Sequence, residues 1–184
     1  MDMNRGRKLQ AAETPGRIDL AHTVKIISGG QTGVDRGALD AALELDVACG
    51  GHCPKGRLAE DGEIPERYPL EAIESTHYPD RTLKNVQDSD GTLVVHFGVI
   101  EGGTAFTLKC CETERKPHVA VDTSTADMQQ TVVEIAEFVR DNKIEVLNVA
   151  GPRASKVPDA RRTTYSLLRN LIEELQTADS RPQT

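Results

Sequence analysis

Three short stretches of this 184-residue chain combine small residues with groups suited to holding an anion. They are Ser28-Gly29-Gly30-Gln31-Thr32-Gly33, the run Gly98 to Thr104 (GVIEGGT), and the run Ala150 to Pro158 (AGPRASKVP). Each follows an apolar run and precedes a helical pattern, so each is expected to be a strand-to-helix turn. A helix N-terminus presents unpaired N–H groups and a partial positive charge, and glycine lets a ligand oxygen approach the backbone. The first turn is neither GxxxxGK(S/T) nor GxGxxG, so it has no P-loop lysine and lacks the dinucleotide glycine spacing.

Cations gather around these turns. Arg153 and Lys156 belong to the third, Arg36 lies in the first turn of the first helix, and Lys55-Gly56-Arg57 follows at some distance. Candidate binding residues are therefore Gly29, Gly30, Gln31, Thr32, Gly33, Arg36, Gly102, Gly103, Thr104, Gly151, Arg153 and Lys156. The first turn would take a phosphate on its N–H groups, Thr32 and Thr104 would add hydroxyl donors, and Arg153 with Arg36 or Lys156 would neutralise charge. Thr32 and Asp35 also fit the Ser/Thr-x-x-Asp/Glu capping pattern, so Asp35 is either a helix-start residue or a ligand contact. Arg161 and Arg162 are expected to be solvated helix charges.

Other chemistry is thin. There is no GxSxG elbow and no cysteine with a base beside it, so no catalytic residue is assigned. Cys49, His52, Cys53, Cys110 and Cys111 do not form a zinc spacing. Cys110 and Cys111 would also point about 100° apart on a helix. They are expected to be reduced thiols, with no metal site. His96 and His118 sit in apolar runs and are expected to be packed. The carboxylate pairs Glu60/Asp61 and Asp88/Asp90 are expected to be solvated or structural.

These turns need a parallel sheet to bring them together. Apolar runs at 24–28, 93–97, 118–122 and 146–150, with a weaker one near 46–49, alternate with helical stripes. The stripes are Val34, Ala38, Ala41, Ala42, Leu45; then Met128, Val132, Ile135, Val139; then Tyr165, Leu168, Ile172, Leu175. Continuous rather than alternating strands imply cover on both faces. The expected fold is α/β: a Rossmann-like open, mainly parallel sheet with helices on both faces, whose ligand edge is the carboxyl end of the strands.

Residues 23–177 are expected to form one ligand-binding domain, with a flexible lead-in over 1–22 and a tail over 178–184. Residues 54–90, rich in charge, Pro and Gly, are too long for an ordinary connection. They are expected to run over the sheet edge, cover the pocket, and include a short helix near 80–88. With 29 acidic against 22 basic residues the net charge is -7, which disfavours a nucleic-acid or membrane surface. Aromatic residues are 3% of the chain, which disfavours a stacking platform for bases. No apolar run is long enough to span a bilayer and the first residues lack a signal-peptide core, so a cytoplasmic protein is expected.

The ordered set SGGQTGVDRGALDAAL, PKGRLAEDGEIPERYPL, RTLKNVQDSDGTLVV, EGGTAFT and LNVAGPRASK resembles the molybdenum-cofactor carrier family of the SLOG superfamily over about residues 24–175. That superfamily also holds the lysine-decarboxylase-like phosphoribohydrolases. The resemblance implies a binder of molybdenum cofactor or a nucleotide-like ligand at the carboxyl edge, working as a dimer or tetramer. The hydrolases carry PGGxGTxxE, whose glutamate helps break an N-glycosidic bond. Aligned on Gly103-Thr104, this chain has Thr107 there, and a threonine hydroxyl does not shuttle protons at neutral pH. The expectation is therefore a carrier for an anionic, phosphate-bearing small molecule. A nucleoside-monophosphate N-glycosidase is the alternative if another carboxylate faces the cleft.

Overall fold

In a computed structural model the described residues are 24–179. The lead-in expected over 1–22 and the last five residues of the expected tail lie outside the described residues. The apolar runs form a five-stranded sheet in which every pairing is parallel. Its strands are β1 (Lys25–Ile27), β2 (Cys49–Gly50), β7 (Gly91–His96), β8 (His118–Asp122) and β9 (Val146–Ala150), in the order β2-β1-β9-β7-β8. Chain hydrophobicity and crossover length agree here, since parallel neighbours require long connections that carry helices over the faces.

Helices α1 (Val34–Glu44), α4 (Met128–Asp141) and α5 (Ala160–Asp179) turn their expected stripes to one face. Val34, Ala38, Val132, Ile135, Leu168 and Ile172 share one buried core with Ile26, Leu93, Val95, Leu147 and Val149. The other helices are α2 (Tyr78–Gln87) and α3 (Gly102–Glu114), which pack together through Val86, Cys110 and Cys111 with Leu83 and Phe106 against them. Alternate β7 residues face opposite sides of the sheet: Leu93 and Val95 join the α1/α4/α5 core, whereas Val94, also fully buried, does not. No helix among the described residues is long and apolar enough to cross a membrane.

Edge strand β8 departs from the expected two-sided cover. It pairs only with β7, and His118 and Ala120 are exposed, so His118 is not packed as expected. An edge strand lacks a second neighbour, and only its Val119/Val121 side joins the buried core.

The 54–90 excursion is more ordered than its composition implies. Its β6 (Glu71–Ala72) pairs in parallel with β3 (His52–Cys53), just before it, and it contains a hairpin, β4 (Leu58–Ala59) with β5 (Gly62–Glu63). Its Ile64, Tyr68 and Leu70 form a small core with Cys53 and with Leu39 of α1. Arg57 ties it internally by donating to the carbonyls of Leu70, Pro65 and Tyr68. Scattered apolar residues with no period carried that core, which is why charge and Pro content hid it.

Asp88 and Asp90 are structural, as expected. Asp88 meets His52 Nε2 at 2.7 Å and Lys84 Nζ at 2.9 Å. Asp90 accepts from the N–H groups of Glu145 and Val146, fixing where β9 starts beside β7. Replacing Asp90 with Ala removes both acceptors at once. The expected loss is roughly 1–2 kcal/mol, read as a lower urea midpoint at unchanged slope, with Asp90→Asn in between.

Candidate functional site

All three turns end strands at one edge of the sheet, and there a cavity of about 860 Å³ opens between the turns and helices α2 and α3. From the first turn Gly29 and Gln31 line it; from the second, Gly102, Gly103 and Thr104; from the third, Gly151, Arg153 and Lys156. Gly30, Thr32, Gly33 and Arg36 lie outside the lining, and their surroundings give the reason.

Gly30 and Gly33 serve chain packing. A Cβ on Gly30 would stand 2.3 Å from Leu70 Cδ1, and one on Gly33 would stand 2.4 Å from the Pro152 carbonyl oxygen. Both have positive φ, +75° and +80°, which glycine adopts without strain. Arg36 is buried with its Nε on the Gly30 carbonyl and its guanidinium bidentate to Asp61, at 2.5 and 2.8 Å. It holds the excursion to the first turn. Thr32 donates to Glu60 and accepts from the Ala154 N–H, so it does not cap α1. The N-cap position is Gly33, with no side-chain hydrogen bond. Glu60 and Asp61, expected to be solvated, are thus clamps between turns.

Gly29 is different. Its Cβ would overlap Arg81 of α2, 1.2 Å from Nη1, so the guanidinium lies directly on the glycine. Arg81 Nη1 donates to Asp35 Oδ2 at 2.9 Å, and their side chains are only 12% and 5% exposed. Asp35 also accepts from the Gln31 N–H. Burial pushes its carboxyl above the ordinary range, with Arg81 pulling part of the way back. Arg81 Nε is buried with no protein partner. Asp35 and Arg81 both line the cavity. The first turn therefore shows the cavity an arginine resting on glycine, where bare N–H groups were expected.

The second turn is open. Gly102 has φ +55°, and a Cβ on Gly102 or Gly103 would meet nothing within 4 Å. Glu101, at the N-cap position of α3, makes no side-chain hydrogen bond to the helix. The open space beside both glycines adjoins the N-terminus of a 13-residue helix, where the Glu101 carboxylate also stands, paired with Lys156 Nζ at 3.4 Å.

A match to the Circularly permutated YpsA SLOG family covers residues 26–172, most of the chain and every segment that forms the cavity. The chain belongs to that family. It is also similar to a crystal structure of a protein from Syntrophus aciditrophicus SB, described as a putative molybdenum carrier protein. The identity is 43% over 82% of this chain and 95% of that one, with a TM-score of 0.80. No curated protein matches the chain.

In this SLOG family member the cavity wall adds aromatic and apolar side chains to these polar groups. Tyr78 of α2, Phe97 after β7 and Phe106 of α3 all line it, three of the six Phe and Tyr residues in the whole chain. Composition had disfavoured aromatic stacking; tertiary structure concentrates half the supply in one place. Val99 at the rim is 83% exposed, and Pro152 and Val157 add apolar surface. Thr107, in place of the hydrolase glutamate, lines the cavity but donates its hydroxyl back to the Gly103 carbonyl at 3.0 Å. His96 lines it as well, its Nδ1 2.9 Å from the Gly98 carbonyl oxygen.

Of the pocket's helical wall, sequence patterns yielded none of Tyr78, Arg81, Asn85 or Phe106. Arg81 and Asn85 are polar residues on a helix of low mean hydropathy, which ordinarily signals a solvated face. Asn85 in fact clamps the His52 backbone, accepting at 2.8 Å and donating at 3.0 Å. The excursion's first half does not cover the pocket; its contribution to the wall is α2. All four cysteines are free and burial pushes each thiol up. Among the described residues no group of three His, Cys, Asp or Glu side chains is placed to hold a metal.

Proposed function

We propose that the chain binds and carries a planar heterocyclic small molecule bearing a phosphate, of the molybdenum-cofactor or nucleotide type. The observation that carries this is the pairing, in one cavity, of an aromatic wall (Tyr78, Phe97, Phe106) with a helix N-terminus beside open space, at Gly102-Gly103-Thr104. A ring system stacks on the former, and its phosphate takes the N–H groups and Thr104 hydroxyl of the latter. Lys156 and Arg153 stand at the mouth, each paired with a carboxylate, Glu101 at 3.4 Å and Glu60 at 3.3 Å, with which a bound anion would share them. The volume falls within the range of roughly 300–1,000 Å³ usual for small-molecule sites. The similarity to a putative molybdenum carrier protein favours molybdenum cofactor as cargo. A cytosolic dimer or tetramer without a nucleic-acid partner completes the proposal, in line with the net charge of -7.

A thermal-shift series with AMP, other nucleotides, phosphate, molybdate and extracted molybdenum cofactor tests it. The true ligand at a hundredfold excess over its Kd should stabilise the native state by roughly 2.7 kcal/mol. Phe97→Ala and Phe106→Ala should each weaken that ligand about tenfold while leaving phosphate alone unaffected. Equal loss for both would remove the stacking assignment.

One observation favours hydrolysis as a second reading. Asp35 is a carboxylate in the cavity wall whose proton affinity burial raises, the property an acid-base residue needs. In that reading water adds across the bond between ribose C1′ and the base, releasing free base and ribose 5-phosphate. Product analysis on any nucleotide that binds separates the two: free base means an enzyme, intact nucleotide a carrier.

A further inference from the structure

Beside the cavity, four donors converge on one carboxylate. Glu60, at the tip of the β4–β5 hairpin, accepts from the Thr32 hydroxyl, the Ser155 hydroxyl and the Ser155 N–H at 3.0 Å, and pairs with Arg153 Nε at 3.3 Å. Thr32 belongs to the first turn, and Arg153 and Ser155 to the third. None of the four donors comes from the hairpin that supplies the acceptor. The backbone that carries the seat, and its Thr32 hydroxyl, are held without Glu60. The Ala154 N–H donates to Thr32 Oγ1 at 3.1 Å, orienting that hydroxyl, and the Val34 N–H meets the Pro152 carbonyl at 3.2 Å, locking the two turns together.

Two hydroxyls, one amide and one guanidinium around a single anion form the donor set used for tetrahedral oxyanions. The carboxylate that fills it is 18% exposed and stands on strands of two residues each. Burial works against its charge, yet the Ser155 and Thr32 hydrogen bonds and the Arg153 charge hold it below the usual carboxylate range. The hairpin does not depend on that side chain. Asp61 is bidentate on Arg36, and the Glu60 N–H donates to Gln31 Oε1 at 2.9 Å. Turning the Glu60 side chain out therefore leaves the hairpin in place. Gln31 and Arg153 belong to both the seat and the cavity lining, so the two spaces adjoin.

We propose that Thr32, Arg153 and Ser155 form a second oxyanion subsite next to the cavity, and that the Glu60 carboxylate is its resident, displaceable occupant. A ligand with a second phosphate or an oxometallate group would compete with Glu60 for it. This deepens the proposed ligand class and rests on it for the identity of the ligand, though not for the seat.

Calorimetric titration of the full chain with inorganic phosphate and with AMP provides the test. Glu60→Ala, which removes the competitor, should bind phosphate at least tenfold more tightly than the natural chain, and Glu60→Ala/Thr32→Val should lose the gain. Glu60→Gln keeps one acceptor and the backbone contacts, guards against loss of folding in the alanine variant, and should show an intermediate gain. A folded Glu60→Ala or Glu60→Gln protein with no gain for phosphate overturns the subsite. Phosphate gained by Glu60→Ala while no form binds AMP, other nucleotides or molybdenum cofactor keeps the subsite and refutes the ligand class. AMP bound in the cavity without any gain in Glu60→Ala does the reverse.

Discussion

Arg81→Met is expected to destabilise the protein by about 3–5 kcal/mol, because it strands a buried carboxylate without its counter-charge. Asp35 is 5% exposed, and its other partners, the Gln31 N–H at 3.2 Å and Ser28, carry no charge. Asp35→Asn should be costly too, leaving the Arg81 guanidinium, 12% exposed, facing an amide. Combining Asp35→Asn with Arg81→Met should cost less than the sum of the two, since neither charge is then left alone.

The pH dependence of the same pair has a definite sign. Burial raises the Asp35 pKa above its unfolded value, so the folded state holds that proton more tightly than the unfolded chain. The stability this contributes is fully present below the unfolded pKa and is lost as pH rises through the folded one. Arg81→Met removes the group that pulls the pKa back down, so its loss should extend to higher pH than in the natural chain. Urea midpoints from about pH 4 to pH 8 measure this, and Asp35→Asn should flatten the difference between the variants. Matching slopes in Arg81→Met and the natural chain would refute the ion pair as described.

Gly33→Ala is the second large effect, with an expected loss of about 3 kcal/mol or more from two sources that add. The residue has φ +80° and ψ -128°, a conformation that strains any side chain by roughly 1–3 kcal/mol. Its Cβ would also lie 2.4 Å from the Pro152 oxygen and 2.8 Å from the Ala154 nitrogen. Both are backbone atoms of the third turn, so relief requires the two turns to part, at a further cost of roughly 1–3 kcal/mol for overpacking. Parting them breaks the Val34 N–H bond to Pro152 and the Ala154 N–H bond to Thr32, and with them the alignment of Arg153. A Gly103→Ala control, where a Cβ meets nothing within 4 Å, should leave thermal stability nearly unchanged and weaken ligand binding. The two glycines look alike in the sequence and should separate cleanly in unfolding and binding assays.

That contrast marks where sequence stops being informative. The parallel α/β sheet, its helices on both faces and the three turns at one edge follow from the sequence, because continuous apolar strands and 3.6-residue stripes admit few other arrangements. The location of the cavity follows from the same logic, since parallel strands present all their carboxyl ends together. Which residues of each turn face that cavity does not follow. A glycine serves a ligand, a neighbouring backbone or an arginine equally well, and only the position of the other chain segment decides: open space at Gly103, Pro152 at Gly33, Arg81 at Gly29. Arg36, Glu60 and Asp61 were legible as charges but not as an internal clamp, because their partners lie 25 to 95 positions away. The aromatic wall is the extreme case. Three rings from α2, the β7–α3 loop and α3 carry no shared sequence pattern, and only the packing of α2 and α3 on the sheet brings them to one cavity.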